Sequence, residues 1–154
     1  LLAVDATLYR TLEWQDLIPA SASQAVISGF VEHGQYTPEQ LPQGSAPLVT
    51  DLHDKPVRLA GFVVPLEGDD NGVTEFLLVP YMGACVHVPP PPSNQIVYVR
   101  AGEPLAFDLI YDAIWVAGVI KATPISSELA EVGYQMEAHG FEAYQYEPYE
   151  PPAQ

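Results

Sequence analysis

The sequence predicts an all-β protein with short helical segments, built as an OB-like small five-stranded barrel. Three observations carry that expectation. Five stretches rich in β-branched and aromatic residues recur between residues 56 and 141, divided by clusters of Gly, Asp, Asn and Pro. Two of them rhyme: "VRLAGFVV" from Val57 and "IWVAGVIK" from Ile114 share apolar-x-apolar-Ala-Gly-apolar-apolar. A glycine inside a strand lets a sheet coil sharply or another backbone come close. The first stretch turns apolar on both faces, as a bent central barrel strand would. A β-sandwich of similar strand count is the competing architecture.

Ahead of the barrel, residues 1–55 read as an extended lead-in packed on it, with Tyr9, Leu12, Trp14, Leu17 and Ile18 as docking side chains. Residues 24–33, "QAVISGFVEH", read as a short helix, opposed by Gly29 and by β-branched Val26, Ile27 and Val31. Three Pro and two Gly mark 34–47 as a loop. The barrel itself, residues 56–141, opens with a strand near 56–66. "GDDNG" (68–72) is a hairpin turn by composition, since Asp, Asn and Gly tolerate positive φ. Further strands are expected near 74–80, 94–100, 112–121 and 132–140, with "AGEP" (101–104) turning the chain after the third. Gly61 and Gly118 should occupy the sharply coiled positions. Residues 142–154 form an acidic Tyr/Pro tail whose prolines deny it ladder hydrogen bonds.

Charge narrows the function classes. Among 154 residues, 20 acids face 5 bases, a formal charge of −15, and the bases stand singly at Arg10, Lys55, Arg58, Arg100 and Lys121. Such a surface repels phosphate backbones and anionic headgroups, so no nucleic acid is expected as a partner, while cations and basic partners are favoured. No apolar run approaches the ~20 residues of a membrane span, so none is expected in this chain. A signal peptide or lipid-attachment cysteine would lie upstream of Leu1.

One stretch concentrates chemistry: "GACVHVPPPPSNQIVYV", residues 83–99, holds the single cysteine two positions from a histidine and runs into Pro89, Pro90, Pro91 and Pro92. On an extended segment Cys85 and His87 are i and i+2 and project to one face, with Cα atoms about 6.5–7 Å apart. Thiolate plus imidazole suits zinc or copper over magnesium or calcium. Two ligands are too few for a closed zinc site, so Glu67, His53 or His139 are the further candidates. Three readings of the pair stand open. Cys85 fills the core as a small hydrophobe while His87 bonds a backbone carbonyl; the pair binds a metal; or Cys85 is a nucleophile with His87 as base and Asn94 as orienter. The last suffers because neighbours on one strand point in parallel, whereas triads converge from separate segments. The prolines impose a rigid polyproline II path, which holds the Cys–His segment still or presents, with Asn94 and Gln95, a ridge to a partner. Trp14 and Trp115 read as core or edge anchors, with ligand stacking as the lesser alternative. His53 reads as a solvated turn residue between two Asp, with a surface cation site as the lesser alternative, and His139 as a strand end.

The strings "RLAGFVVPLE" and "EFLLVPYMGACVHVPPPPSNQIVYV", with "LEWQDLIP" at the front and "VGYQ" late, resemble a family of bacterial envelope proteins of unknown function, over roughly residues 12–145. The resemblance implies a periplasmic protein, often lipid-anchored through an upstream cysteine. It also implies an operon setting beside a MacB/FtsX-like ABC transporter, some such settings being zinc-responsive. The resulting expectation is a periplasmic ligand- or metal-binding accessory protein of an ABC transporter system. The alternative is an interaction module with no small ligand, contacting transporter components through barrel and proline ridge. A thiol-dependent enzyme ranks third, behind binding.

Overall fold

A computed structural model describes residues 4–20, 46–82, 90–127 and 129–145. Eight strands are present among them: β1 (Arg10–Leu12), β2 (Lys55–Asp69), β3 (Gly72–Val79), β4 (Val97–Leu105), β5 (Ile114–Lys121), β6 (Ile125–Ser126), β7 (Glu131–Val132) and β8 (Tyr134–Ala143). The only helical elements described are short 3-10 turns, at Trp14–Leu17, Thr50–Leu52, Ser93–Gln95 and Phe107–Leu109.

The expected five strands close into one barrel. The order β2-β3-β4-β8-β5 returns to β2, because β5 pairs β2 antiparallel from Lys55↔Ile120 to Gly61↔Ile114. Four of the five contacts are antiparallel and β4–β8 is parallel, which is the connectivity of an OB barrel. The two rhyming strings are therefore ladder partners. β2 serves two neighbours in turn: residues 55–61 pair β5, and residues 62–69 pair β3. The hand-over falls at Gly61, where a Cβ would stand 2.8 Å from the Val79 carbonyl oxygen and 2.9 Å from Trp14 Cζ2. At Gly118 the approach is closer still, 2.0 Å to the Glu137 carbonyl oxygen, beside a register shift in the β5–β8 ladder.

Alternation fills the interior. Val57 and Leu59, Phe76 and Leu78, Val97 and Val99, Ile114 and Val116, Tyr134 and Met136 point inward and are buried. The lead-in closes the assembly: β1 pairs β2 parallel (Arg10↔Val57 to Leu12↔Leu59), and Tyr9, Leu12, Leu17 and Ile18 are buried as expected. Tyr134 ties it from inside the core. Its hydroxyl donates to the Leu17 carbonyl at 2.7 Å and accepts the Val49 N–H at 2.7 Å. Burial raises the Tyr134 phenol above its ordinary pKa, and the Val49 bond opposes that.

Several expectations change. "AGEP" does not turn the chain but continues β4, with Ala101 paired to Ala138 and Leu105 to Val73. The turn comes at 106–113, where "AFDLIYDA" supplies a 3-10 turn instead. β4 begins at Val97 rather than residue 94, because Ser93–Gln95 are wound into a turn whose Gln95 N–H bonds the Pro92 carbonyl. The hairpin at 68–72 is as read, with Asp69 paired to Gly72 and Gly72 at φ +149°. The helix expected at 24–33 lies outside the described residues.

Candidate functional site

The proline run ends in a clamp. Pro91 and Pro92 are buried, and the Ser93–Gln95 turn after them is 0–5% exposed. Buried polar groups need partners, and this turn finds them in three separate parts of the chain, at residue 14, at 46–47 and at 133. Ser93 Oγ accepts the Ala46 N–H at 2.7 Å, and the Ser93 carbonyl accepts the Gly133 N–H at 2.7 Å. Asn94 Nδ2 donates to the Pro47 carbonyl at 3.1 Å. Gln95 Nε2 donates to the Trp14 carbonyl and to the Asn94 carbonyl, both at 2.9 Å. Asn94 Oδ1 is buried with no hydrogen-bond partner among the described residues. Gly133 belongs to the clamp as well, since a Cβ there would meet the Ser93 carbonyl oxygen at 2.7 Å.

Trp14 links this clamp to a groove of about 360 Å³ on the barrel wall, lined by Trp14, Gly61, Phe62, Pro80, Trp115 and Tyr144 among others. The Trp14 indole lies over Gly61 and donates its Nε1–H to the Ala60 carbonyl at 2.8 Å. Trp115 is fixed by its neighbours. The Arg58 guanidinium sits 4.3 Å from its ring centroid, and the Tyr144 ring is 5.6 Å away at 35°. Arg58 is itself held by Thr11 Oγ1 at 2.7 Å and the Val4 carbonyl at 3.3 Å.

With this geometry in view, comparison with known proteins is informative. The profile of a family described as "Protein of unknown function (DUF3299)" matches residues 14–143. The chain belongs to the DUF3299 family. It is similar to the crystal structure of a DUF3299 protein from Pseudomonas aeruginosa PAO1, with 40% identity and a TM-score of 0.73, over 91% of this chain and 99% of that one. No curated protein matches the sequence.

Of the site residues read from the sequence of this DUF3299 chain, Cys85, His87 and Pro89 lie outside the described residues. Pro90 is exposed, whereas Pro91, Pro92, Asn94 and Gln95 are the buried anchor just described. Glu67 is exposed at a register shift near the hairpin end of β2. The connection carrying Cys85 departs from the opposite end of that ladder, where Phe62 pairs Val79. His53 closes the Thr50–Leu52 turn; its Nδ1 accepts the Ala122 N–H at 3.1 Å and its Nε2 lies 3.4 Å from Asp54 Oδ2. Asp54 is hydrogen-bonded by Lys121, which lowers the Asp54 pKa and raises that of Lys121. His139 is not a strand end but lies within β8, with Nδ1 3.0 Å from the Tyr9 hydroxyl. Among the described residues no three His, Cys, Asp or Glu side chains converge on one point.

The sequence offers ring stacking at Trp14 and Trp115 only as a lesser alternative to core or edge anchoring, and nothing in it places the two rings on one groove. They stand 101 positions apart, and only the barrel closure, which pairs Ala60 with Trp115, brings them to one place. The usable signal was local: "LAGF" places a glycine where a ring can lie flat on the strand.

Proposed function

We propose that this DUF3299 protein is a periplasmic metal- or ligand-binding accessory of an ABC transporter system, with Cys85 and His87 as ligands to zinc or copper. The observation that supports the reading is the clamp at 91–95. Residues 91–95, beginning four positions after His87, are buried, and Ser93, Asn94 and Gln95 among them are bonded to residues 14, 46, 47 and 133. A stiff proline segment leaving a fixed anchor reduces the entropy lost when its ligands are ordered around a metal. The envelope setting, the lipid anchor upstream and the transporter partner rest on the family resemblance.

Calorimetric titration of the reduced protein with zinc tests the metal. A site should appear that Cys85→Ser and His87→Ala each weaken. It should fade as pH falls through about 6.5, because only the neutral imidazole ligates. Parent-like zinc binding by both variants would remove the pair from any metal site. Elemental analysis of protein purified from a native envelope fraction tests metal and location together.

A further inference from the structure

The two tryptophans of the chain, Trp14 and Trp115, line one groove with Phe62, Pro80 and Tyr144. Rings set along an open groove form the kind of surface that grips polyproline II segments. Such a segment makes no internal hydrogen bonds, so its prolines seat between rings while its carbonyls look for donors. Trp14 cannot supply one, since its N–H is committed to Ala60. Trp115 can: its indole N–H forms no hydrogen bond among the described residues, and its ring is already braced by Arg58 and Tyr144.

Charge selects the kind of segment. Glu13 is the only charged side chain among the described groove residues, and the chain as a whole carries −15. Arg58 does not line the groove and is occupied by Thr11, the Val4 carbonyl and the Trp115 face. We propose that the groove binds a proline-rich, basic segment of a partner protein, an extended stretch with Lys or Arg beside its prolines. Prolines would seat on the Trp115–Tyr144 and Trp14 walls, a peptide carbonyl would accept from the Trp115 indole, and a basic side chain would reach Glu13. The groove needs no metal at Cys85 and His87 to bind such a segment.

Because both tryptophans line the groove, intrinsic fluorescence reads its occupancy directly. The full chain would be titrated with a synthetic Arg-Pro-Pro-repeat peptide, a Gly-Ser peptide of equal positive charge, and the acidic peptide corresponding to residues 146–154. The Arg-Pro-Pro peptide should give a saturable change that weakens with added salt, and the other two should not. Trp115→Phe, which keeps the ring and removes the donor, should weaken binding about fivefold, the loss of one neutral hydrogen bond. Glu13 caps the Trp14–Leu17 turn and accepts from Gln15 Nε2 at 3.0 Å. Glu13→Gln keeps an acceptor oxygen there while removing the charge, and should weaken binding about two- to fivefold and flatten the salt dependence. Equal binding of the Gly-Ser peptide would reduce the effect to net charge and overturn the proposal. So would preference for the acidic peptide, which would make the groove a seat for the chain's own tail, or the absence of any saturable change up to millimolar peptide.

Discussion

Gly118→Ala should open the barrel at its tightest point. A Cβ at this position would lie 2.0 Å from the Glu137 carbonyl oxygen and 2.9 Å from Ala138 Cα, a full 1.0 Å inside the 3.0 Å that real Cβ contacts respect. Both neighbours are backbone, so no side chain can rotate away; β8 itself has to move. The site sits at the register shift between Ala117↔Gly140 and Gly118↔Ala138, where the ladder already skips His139. Displacing a strand by about 1 Å takes its hydrogen bonds beyond useful length. Each buried backbone group so orphaned costs about 1–3 kcal/mol. Overpacking adds about 1–3 kcal/mol. With one or two bonds lost, the destabilisation is about 4 kcal/mol, a large share of the roughly 5–15 kcal/mol that holds a domain together. For a urea m-value of about 2 kcal/mol/M, the midpoint should fall by about 2 M. Urea titration followed by tryptophan fluorescence measures it. Gly102→Ala is the control, since its Cβ would meet only the Ala138 carbonyl oxygen at 3.3 Å. A Gly118→Ala midpoint no lower than that of Gly102→Ala would refute the close-approach argument.

Other outcomes follow from the same contacts. Tyr134→Phe strands the Leu17 carbonyl and the Val49 N–H in the core and should cost about 2–4 kcal/mol in the same urea assay. Gln95→Leu orphans the Trp14 carbonyl, should cost about 1–2 kcal/mol, and should shift tryptophan emission because the Trp14 turn loosens. The Asp54–Lys121 pair sets a pH dependence in two windows. Asp54 has a lowered folded pKa, so its contribution is present above the ordinary carboxylate value of about 3.9 and is lost as pH falls through the lowered one. Lys121 has a raised pKa, so its share is full below about 10.4 and is lost as pH rises through the folded value. Melting temperatures of the parent and Asp54→Asn should therefore converge at both extremes; a constant gap from pH 2 to pH 11 would show that the pair contributes nothing.

The barrel was legible because its signals were local. Alternation along "VRLAGFVV" and "EFLLV", and glycines at 61 and 118, are direct consequences of a coiled, two-sided strand, and the ladder uses each as expected. What failed to show were features set by distant partners. "AGEP" has the composition of a turn, but Gly102 and Glu103 stay extended because Ala101 and Leu105 are paired on either side of them. "SNQ" has the place of a strand start, yet its polar side chains are needed to close the clamp on residues 14, 46, 47 and 133. The groove is the extreme case. Nothing near Trp14 in sequence points to Trp115, and only the β2–β5 ladder joins them.

The barrel's own hairpin bears on where binding can occur. OB folds commonly bind their ligands across the second and third barrel strands, with the adjoining loops. Here the second and third barrel strands are β3 and β4. Their outer surface carries Leu77, Val79 and Tyr98, beside Val64 of β2, and packs against Val132, Ile125 and Ala130 of the β6–β7 hairpin and the turn beside it, with Ile96 completing the cluster. Leu77, Val79 and Ile96 are fully buried by this cover. Uncovering them for a ligand would expose several apolar side chains, at about 1.5–3 kcal/mol each. A partner that can bind without that penalty has the Trp14–Trp115 groove available to it, and that groove adjoins the clamp at 91–95 through Trp14. These are not independent places. The Gln95 amide that closes the clamp donates to the Trp14 carbonyl at 2.9 Å, and the Trp14 ring is the groove wall. A segment that shifts Trp14 must strain that bond, and through Gln95 it acts on the anchor from which the Cys85–His87 segment departs. Groove occupancy and metal affinity should therefore be coupled, with the same factor in both directions. Zinc titration with and without saturating Arg-Pro-Pro peptide measures that factor. A ratio of one, in a protein that binds both, would mean that the Gln95–Trp14 bond transmits nothing.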